Sequence, residues 1–129
     1  MGYTVTFTQK PEYLHAVVTG ENSAENVRNY LKQIQQECKT RKCSRVLIEE
    51  RLEGPRLDIV DVYRIVSEGT VRALGQIEVI AYVDMNAKGD LMKFAEDVAV
   101  NRFLRVAVFP SVPEAELWLQ NLLSDRSKK

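Results

Sequence analysis

Three short apolar runs, "RVLIE" (45–49), "IEVIAYVD" (77–84) and "FLRVAVF" (103–109), are separated by stretches whose apolar residues recur every three to four positions. That alternation constrains the fold more than any other feature of the chain. A short run with an apolar centre reads as a strand covered on both faces. A stretch with helical spacing between two such runs reads as a crossover, which makes the flanking strands parallel and the connection right-handed. Ahead of the runs, "YTVTFTQ" (3–9) alternates apolar and polar residues as a half-buried edge strand does, and "EYLHAVVTG" (12–20) follows directly after Lys10-Pro11. These two strands are expected to form a hairpin.

The helical stretches have recognisable starts. Ser23 suits an N-cap, with Val27, Tyr30, Leu31, Ile34 and Cys38 forming an apolar stripe behind it. A second helix is expected over 58–73, apolar at Ile59, Val62, Tyr63, Val66 and Leu74, and a third over 90–101, with Leu91, Phe94, Ala95 and Val98 on one side. Ser111 with Glu114 three residues on is a capping box that opens a last helix through Trp118 and Leu122. The expected order is ββαβαβαβα, an α/β fold with four helices and a mixed five-stranded sheet whose first strand is antiparallel. Residues 1–124 read as a single domain, and 125–129 as a frayed tail. A chain of 129 residues can bury roughly two thirds of its unfolded surface, enough for a self-sufficient core.

Charge excludes some functions. Lys+Arg and Asp+Glu both number 18, so the net charge is zero, whereas nucleic-acid binders depend on a basic surplus that neutralises phosphates. No stretch approaches the ~20 apolar residues needed to cross a bilayer, so no membrane insertion is expected. The start, "MGYTVTFTQK", lacks a charged-then-apolar signal layout, which points to the cytoplasm. Cys38, Cys43 and the single His15 are too few and too scattered for a zinc site; the two cysteines read as reduced structural thiols. No metal or cofactor is expected.

The hairpin followed by "VLIEERLEGP", together with the ending "FPSVPEAELWL", resembles the STAS domain of the bacterial anti-sigma-factor antagonists, and more narrowly the SpoIIAA-like family of small bacterial proteins. Phe109, Glu114-Ala115 and Trp118-Leu119 carry the likeness at the chain's close. The resemblance implies a SpoIIAA-like fold and a non-catalytic regulatory or protein-interaction module with a regulatory protein partner. STAS antagonists are switched by phosphorylation of a serine that follows an aspartate at the start of the second helix. The matching place here reads Leu57-Asp58-Ile59, and no Ser or Thr lies between Ser44 and Ser67, so the switch does not carry over. The fold is shared with the CRAL-TRIO lipid-transfer domains, which implies an alternative: a carrier of a small apolar or lipid-like ligand.

Open α/β sheets bind partners along the carboxyl edge of their strands. Three loops are expected there, Thr19–Ser23, Glu50–Leu57 and Asp84–Asp90, giving Gly20, Glu50, Arg51, Gly54, Asp58, Asp84 and Gly89 as candidate binding residues. No catalytic group is expected. Glu49 and Glu50, adjacent in a strand, point to opposite faces and cannot converge on a substrate. Asp58 and Asp61 suit a helix start, with Asp58 capping the N–H of Val60 or Asp61. His15 has no Ser or Cys nucleophile near it in the chain. Finally, right-handed crossovers place most helices on one sheet face, although both faces are apolar: Val46 and Ile48 oppose Leu47, and Ile77 and Val79 oppose Ile80 and Tyr82. Val60 and Ile65 also lie off the main stripe of the second helix. An uncovered apolar face implies a homodimer.

Overall fold

The computed structural model describes residues 2–54, 57–73, 76–84 and 105–127. Its strands are β1 (Tyr3–Gln9), β2 (Leu14–Glu21), β3 (Arg45–Glu53), β4 (Val79–Asp84) and β5 (Arg105–Phe109). Its helices are α1 (Ala24–Arg41), α2 (Ile59–Ala73) and α3 (Val112–Ser127). The sheet runs β1-β2-β3-β4-β5, antiparallel between β1 and β2 and parallel thereafter. Among the described residues there are thus three helices rather than four, in the order ββαβαββα; the helix expected over 90–101 lies outside the described residues. The last helix runs to Ser127, into the stretch read from sequence as a tail.

The two sheet faces carry separate cores. On one, Leu14, Ala16, Val18, Val46, Ile48 and Leu52 pack against Val27, Tyr30, Ile34 and Cys38 of α1 and Ile65 of α2. On the other, Leu47, Val79, Ala81 and Val83 pack against Ala115 and Leu119 of α3, with Phe109 and Trp118 at the margin. One strand feeds both cores because its side chains alternate. The second face is therefore occupied over β3–β5 by the chain's own last helix, so it is not the bare apolar face that suggested self-association. Over β1 and β2 that face is mostly polar: Thr4, Thr6, Thr8 and Thr19 are exposed, with half-buried Val17 among them.

The buried stripe of α2 is rotated from the expected one. Val62 and Ile65 turn inward, whereas Tyr63, placed in the stripe by spacing, is exposed beside Val60. A run as apolar as "DIVDVYRIV" has several helical stripes of similar strength, and tertiary packing selects among them. Ser23 caps α1 as expected, accepting from Asn26 N–H at 3.1 Å. At the other end Lys42 adopts φ 57°, and the N–H of Cys43 donates to the carbonyl of Cys38 at 2.9 Å, a Schellman closure. Ser111 accepts from the N–H of Glu114 at 3.5 Å and its hydroxyl donates to the Glu114 carboxylate at 3.2 Å, which opens α3.

Candidate functional site

The carboxyl ends of β2, β3 and β4 form the edge expected to bind. The charged knot after "RVLI" is strand and not loop: β3 continues through Glu53, because Thr19, Gly20 and Glu21 pair in parallel with Arg51, Leu52 and Glu53. Buried Leu52 anchors this extension into the first core. Past the strands, Asn22 N–H donates to the Glu53 carbonyl at 2.7 Å, and the Asn26 amide donates to the Glu21 carbonyl at 2.8 Å, tying the β2–α1 turn to β3.

Strand continuation separates the acidic residues. Glu49 and Glu50 are only 5% and 6% exposed, and they leave β3 on opposite faces. Glu49 accepts from Arg51 and lies 3.0 Å from His15 Nε2, a polar ladder along β2 and β3. Glu50 faces α1 and accepts from the Tyr82 hydroxyl, which meets the Tyr30 hydroxyl in turn. Asp84, the register partner of Glu50, is 1% exposed. Burial holds the Tyr82 phenol well above its ordinary pKa, and the charge of Glu50 and the presence of Tyr30 push it further in the same direction. A phenol held protonated in this way serves as a hydrogen-bond donor and not as a base.

The remaining candidates divide by position. Gly20 and Gly54 both have positive φ, 131° and 114°, which side chains rarely adopt. Gly20 is also crowded: a Cβ there would stand 2.6 Å from the Gly2 carbonyl oxygen and from Tyr3 Cα. Arg51, Gly54 and Asp58 are exposed, while Gly89 lies outside the described residues. Asp58 caps α2: its Oδ1 accepts from Asp61 N–H at 2.8 Å, and its carbonyl accepts from Val62 N–H at 3.1 Å. The expected edge thus becomes two settings, a buried Glu50–Tyr82–Tyr30 chain beneath α1 and an exposed rim at the start of α2. Among the described residues no group of three or more His, Cys, Asp or Glu is placed to hold a metal ion.

Sequence reasoning missed Tyr82 and His15 as partners of the two glutamates, and Tyr30 as the partner of Tyr82. Each was placed on its element, but the contacts depend on strand register and on how α1 packs across the sheet, which no single-sequence pattern specifies.

No protein-family model matches the chain, and no curated protein matches it. Among solved structures it is similar to an uncharacterized protein of the DUF3478 family with a SpoIIAA-like fold from Shewanella loihica PV-4. The likeness covers 92% of this chain and 94% of that one, with a TM-score of 0.54 and 16% sequence identity. The chain has a SpoIIAA-like fold. At that identity the SpoIIAA-like neighbour speaks for architecture, and function has to be argued from this chain's own residues. Among the described residues no helix is long and apolar enough to cross a membrane.

Proposed function

We propose that the chain is a non-catalytic interaction module, acting in the cytoplasm, that presents the rim of the sheet and the start of α2 to a regulatory protein partner. The observation that carries this reading is the pair Val60 and Tyr63, 53% and 45% exposed, one turn apart and immediately beyond the Asp58 cap. Exposed apolar side chains on a helix whose inward face is already packed by Val62 and Ile65 add nothing to the core. Tyrosine is among the residues that dominate binding energy at interfaces. Arg51, Gly54 and Asp58 would form the polar margin of that contact, with Gly20, Glu50 and Asp84 shaping the edge beneath it. The separation of Glu49 and Glu50 onto opposite faces supports a binding reading over a catalytic one.

The test is affinity capture from the host with the wild-type chain and a Val60→Asp/Tyr63→Ala variant, after circular dichroism has shown that both are folded. A stoichiometric protein retained by the wild type and lost by the variant supports the reading. Retention by both places the contact elsewhere.

A further inference from the structure

The outer edge of β1 is built to take another strand. Gly2 C=O accepts from Glu21 N–H at 3.3 Å, and Lys10 N–H donates to Tyr13 C=O at 2.9 Å. Successive residues of a strand aim their backbone groups to alternate sides. Gly2, Thr4, Thr6, Thr8 and Lys10 therefore face β2, and Tyr3, Val5, Phe7 and Gln9 aim their N–H and C=O groups away from it. Among the described residues no strand pairs with that edge. Edge strands are ordinarily blunted by a charge, a proline, a bulge or shortness. β1 has none of these: its seven residues carry no charge, no proline and no glycine, and they pair with β2 through seven consecutive partners. It is also held in place from one face, where Tyr3 donates to Gln33 at 2.9 Å and the Arg41 guanidinium carbon lies 5.9 Å from the centroid of the Phe7 ring.

We infer that this edge binds a second copy of the chain, β1 against β1, antiparallel about a twofold axis through Thr6, so that two five-stranded sheets join into one. The register follows from the outward groups. Centring on Thr6 sets Val5 opposite Phe7 and Tyr3 opposite Gln9, in both directions, which engages all four outward residues of each copy. Centring on Phe7 would set Tyr3 opposite Pro11, which has no N–H, and centring on Val5 would set Gln9 opposite Met1, beyond the strand. The Thr6 register also pairs like with like. Thr6 meets Thr6 and Thr4 meets Thr8 on the polar face, while β-branched Val5 meets aromatic Phe7 on the other, both favourable cross-strand pairs. No like charges are opposed. This surface is separate from the start of α2, so the two readings stand or fall independently.

The full chain should sediment as a dimer at micromolar concentration. Thr6 is exposed, so Thr6→Lys and Thr6→Glu should fold normally, but each places like charges face to face on the axis and should weaken association ~5-fold or more. Mixing the two variants should restore it. In the inferred register Thr6 forms a non-hydrogen-bonded pair with Cα atoms ~4.5 Å apart, within disulfide reach. Thr6→Cys should therefore oxidise to a covalent dimer beyond any wild-type background. Thr8→Cys, ~14 Å from its twofold mate, should not. A monomeric wild type overturns the inference, as does a dimer indifferent to both charge variants. Cross-linking by Thr8→Cys in place of Thr6→Cys overturns the register.

Discussion

The hydroxyls of Tyr30 on α1 and Tyr82 on β4 are hydrogen-bonded to each other, and Tyr82 donates its one proton to the buried carboxylate of Glu50. Tyr30 must then be the donor to Tyr82, which gives the chain a direction: Tyr30 to Tyr82 to Glu50. Tyr82→Phe removes the hydrogen bond to the buried Glu50 carboxylate together with the bond to Tyr30, so it should destabilise by about 2–3 kcal/mol. Tyr30→Phe removes its neutral bond to Tyr82 but leaves the bond between Tyr82 and Glu50, and should cost about 1 kcal/mol. Urea denaturation of the two variants gives the ranking, and a larger loss for Tyr30→Phe would contradict the assigned direction.

Asp58→Ala should cost about 1 kcal/mol, a typical N-cap loss. Asp58→Asn should cost less, because an amide oxygen can still accept from Asp61 N–H and only the favourable charge at the helix start, about 0.3–1 kcal/mol, is lost. Denaturation midpoints measure both. A recognition role for the charge would appear as lost capture in Asp58→Asn with stability barely moved.

Gly20 and Gly54, both at positive φ, should respond unequally. Gly54→Ala meets no crowding, since Asn22 N at 3.9 Å is an ordinary contact, so the backbone conformation alone should cost about 1–3 kcal/mol. Gly20→Ala adds a collision with the backbone of Gly2 and Tyr3 and should lose more, with exchange protection falling first in β1. Amide hydrogen exchange together with thermal melts would show both effects.

Burial pushes the Cys38 thiol up to about 12, with Cys43 and Glu37 adding to the rise and Arg41 opposing it. The Tyr13 phenol is likewise raised to about 12, by burial first and by its hydrogen bond to Glu116 second. Both folded-state values lie above those of the unfolded chain, so these groups stabilise the fold fully below the unfolded pKa. That contribution is lost as pH rises towards 12, because the unfolded chain releases its protons first. Stability should begin to fall from about pH 9, where unfolded cysteine ionises, and go on falling to about 12. At pH 8 iodoacetamide should label half-buried Cys43 well before buried Cys38, as peptide mass mapping would show. Equal labelling rates would contradict the packing of Cys38.

Much of this architecture was legible because it rests on periodicity. The hairpin, the alternation of strand and helix, and the caps at Ser23, Asp58 and Ser111 are local patterns with local physical causes. The end of β3 was not legible. Residues Glu50–Glu53 read as the start of a loop because three of four are charged, and only pairing with Val18–Glu21 makes them strand. The inward stripe of α2 was ambiguous for a related reason: Tyr63 and Ile65 are both apolar, and the sheet beneath decides which is buried. At the candidate site the sequence separated Glu49 from Glu50 correctly, through strand alternation. It could not supply their partners across the sheet, His15 and Tyr82, which lie 34 and 32 residues away in sequence.

The sheet's strands stand in space in the order in which they occur along the chain. Each strand after the first therefore finds its pairing edge already made by the segment before it. A nascent chain emerging from the ribosome could close its N-terminal hairpin, lay α1 across it and then add β3, β4 and β5 in turn, never needing a strand still to be synthesised. Folding by accretion of this kind keeps the growing edge occupied by the next segment of the same molecule. Among the described residues the outer side of the first strand is left unpaired by this order of addition, so the same accretion that completes the sheet at β5 leaves β1 as the edge at which a second molecule is inferred to join.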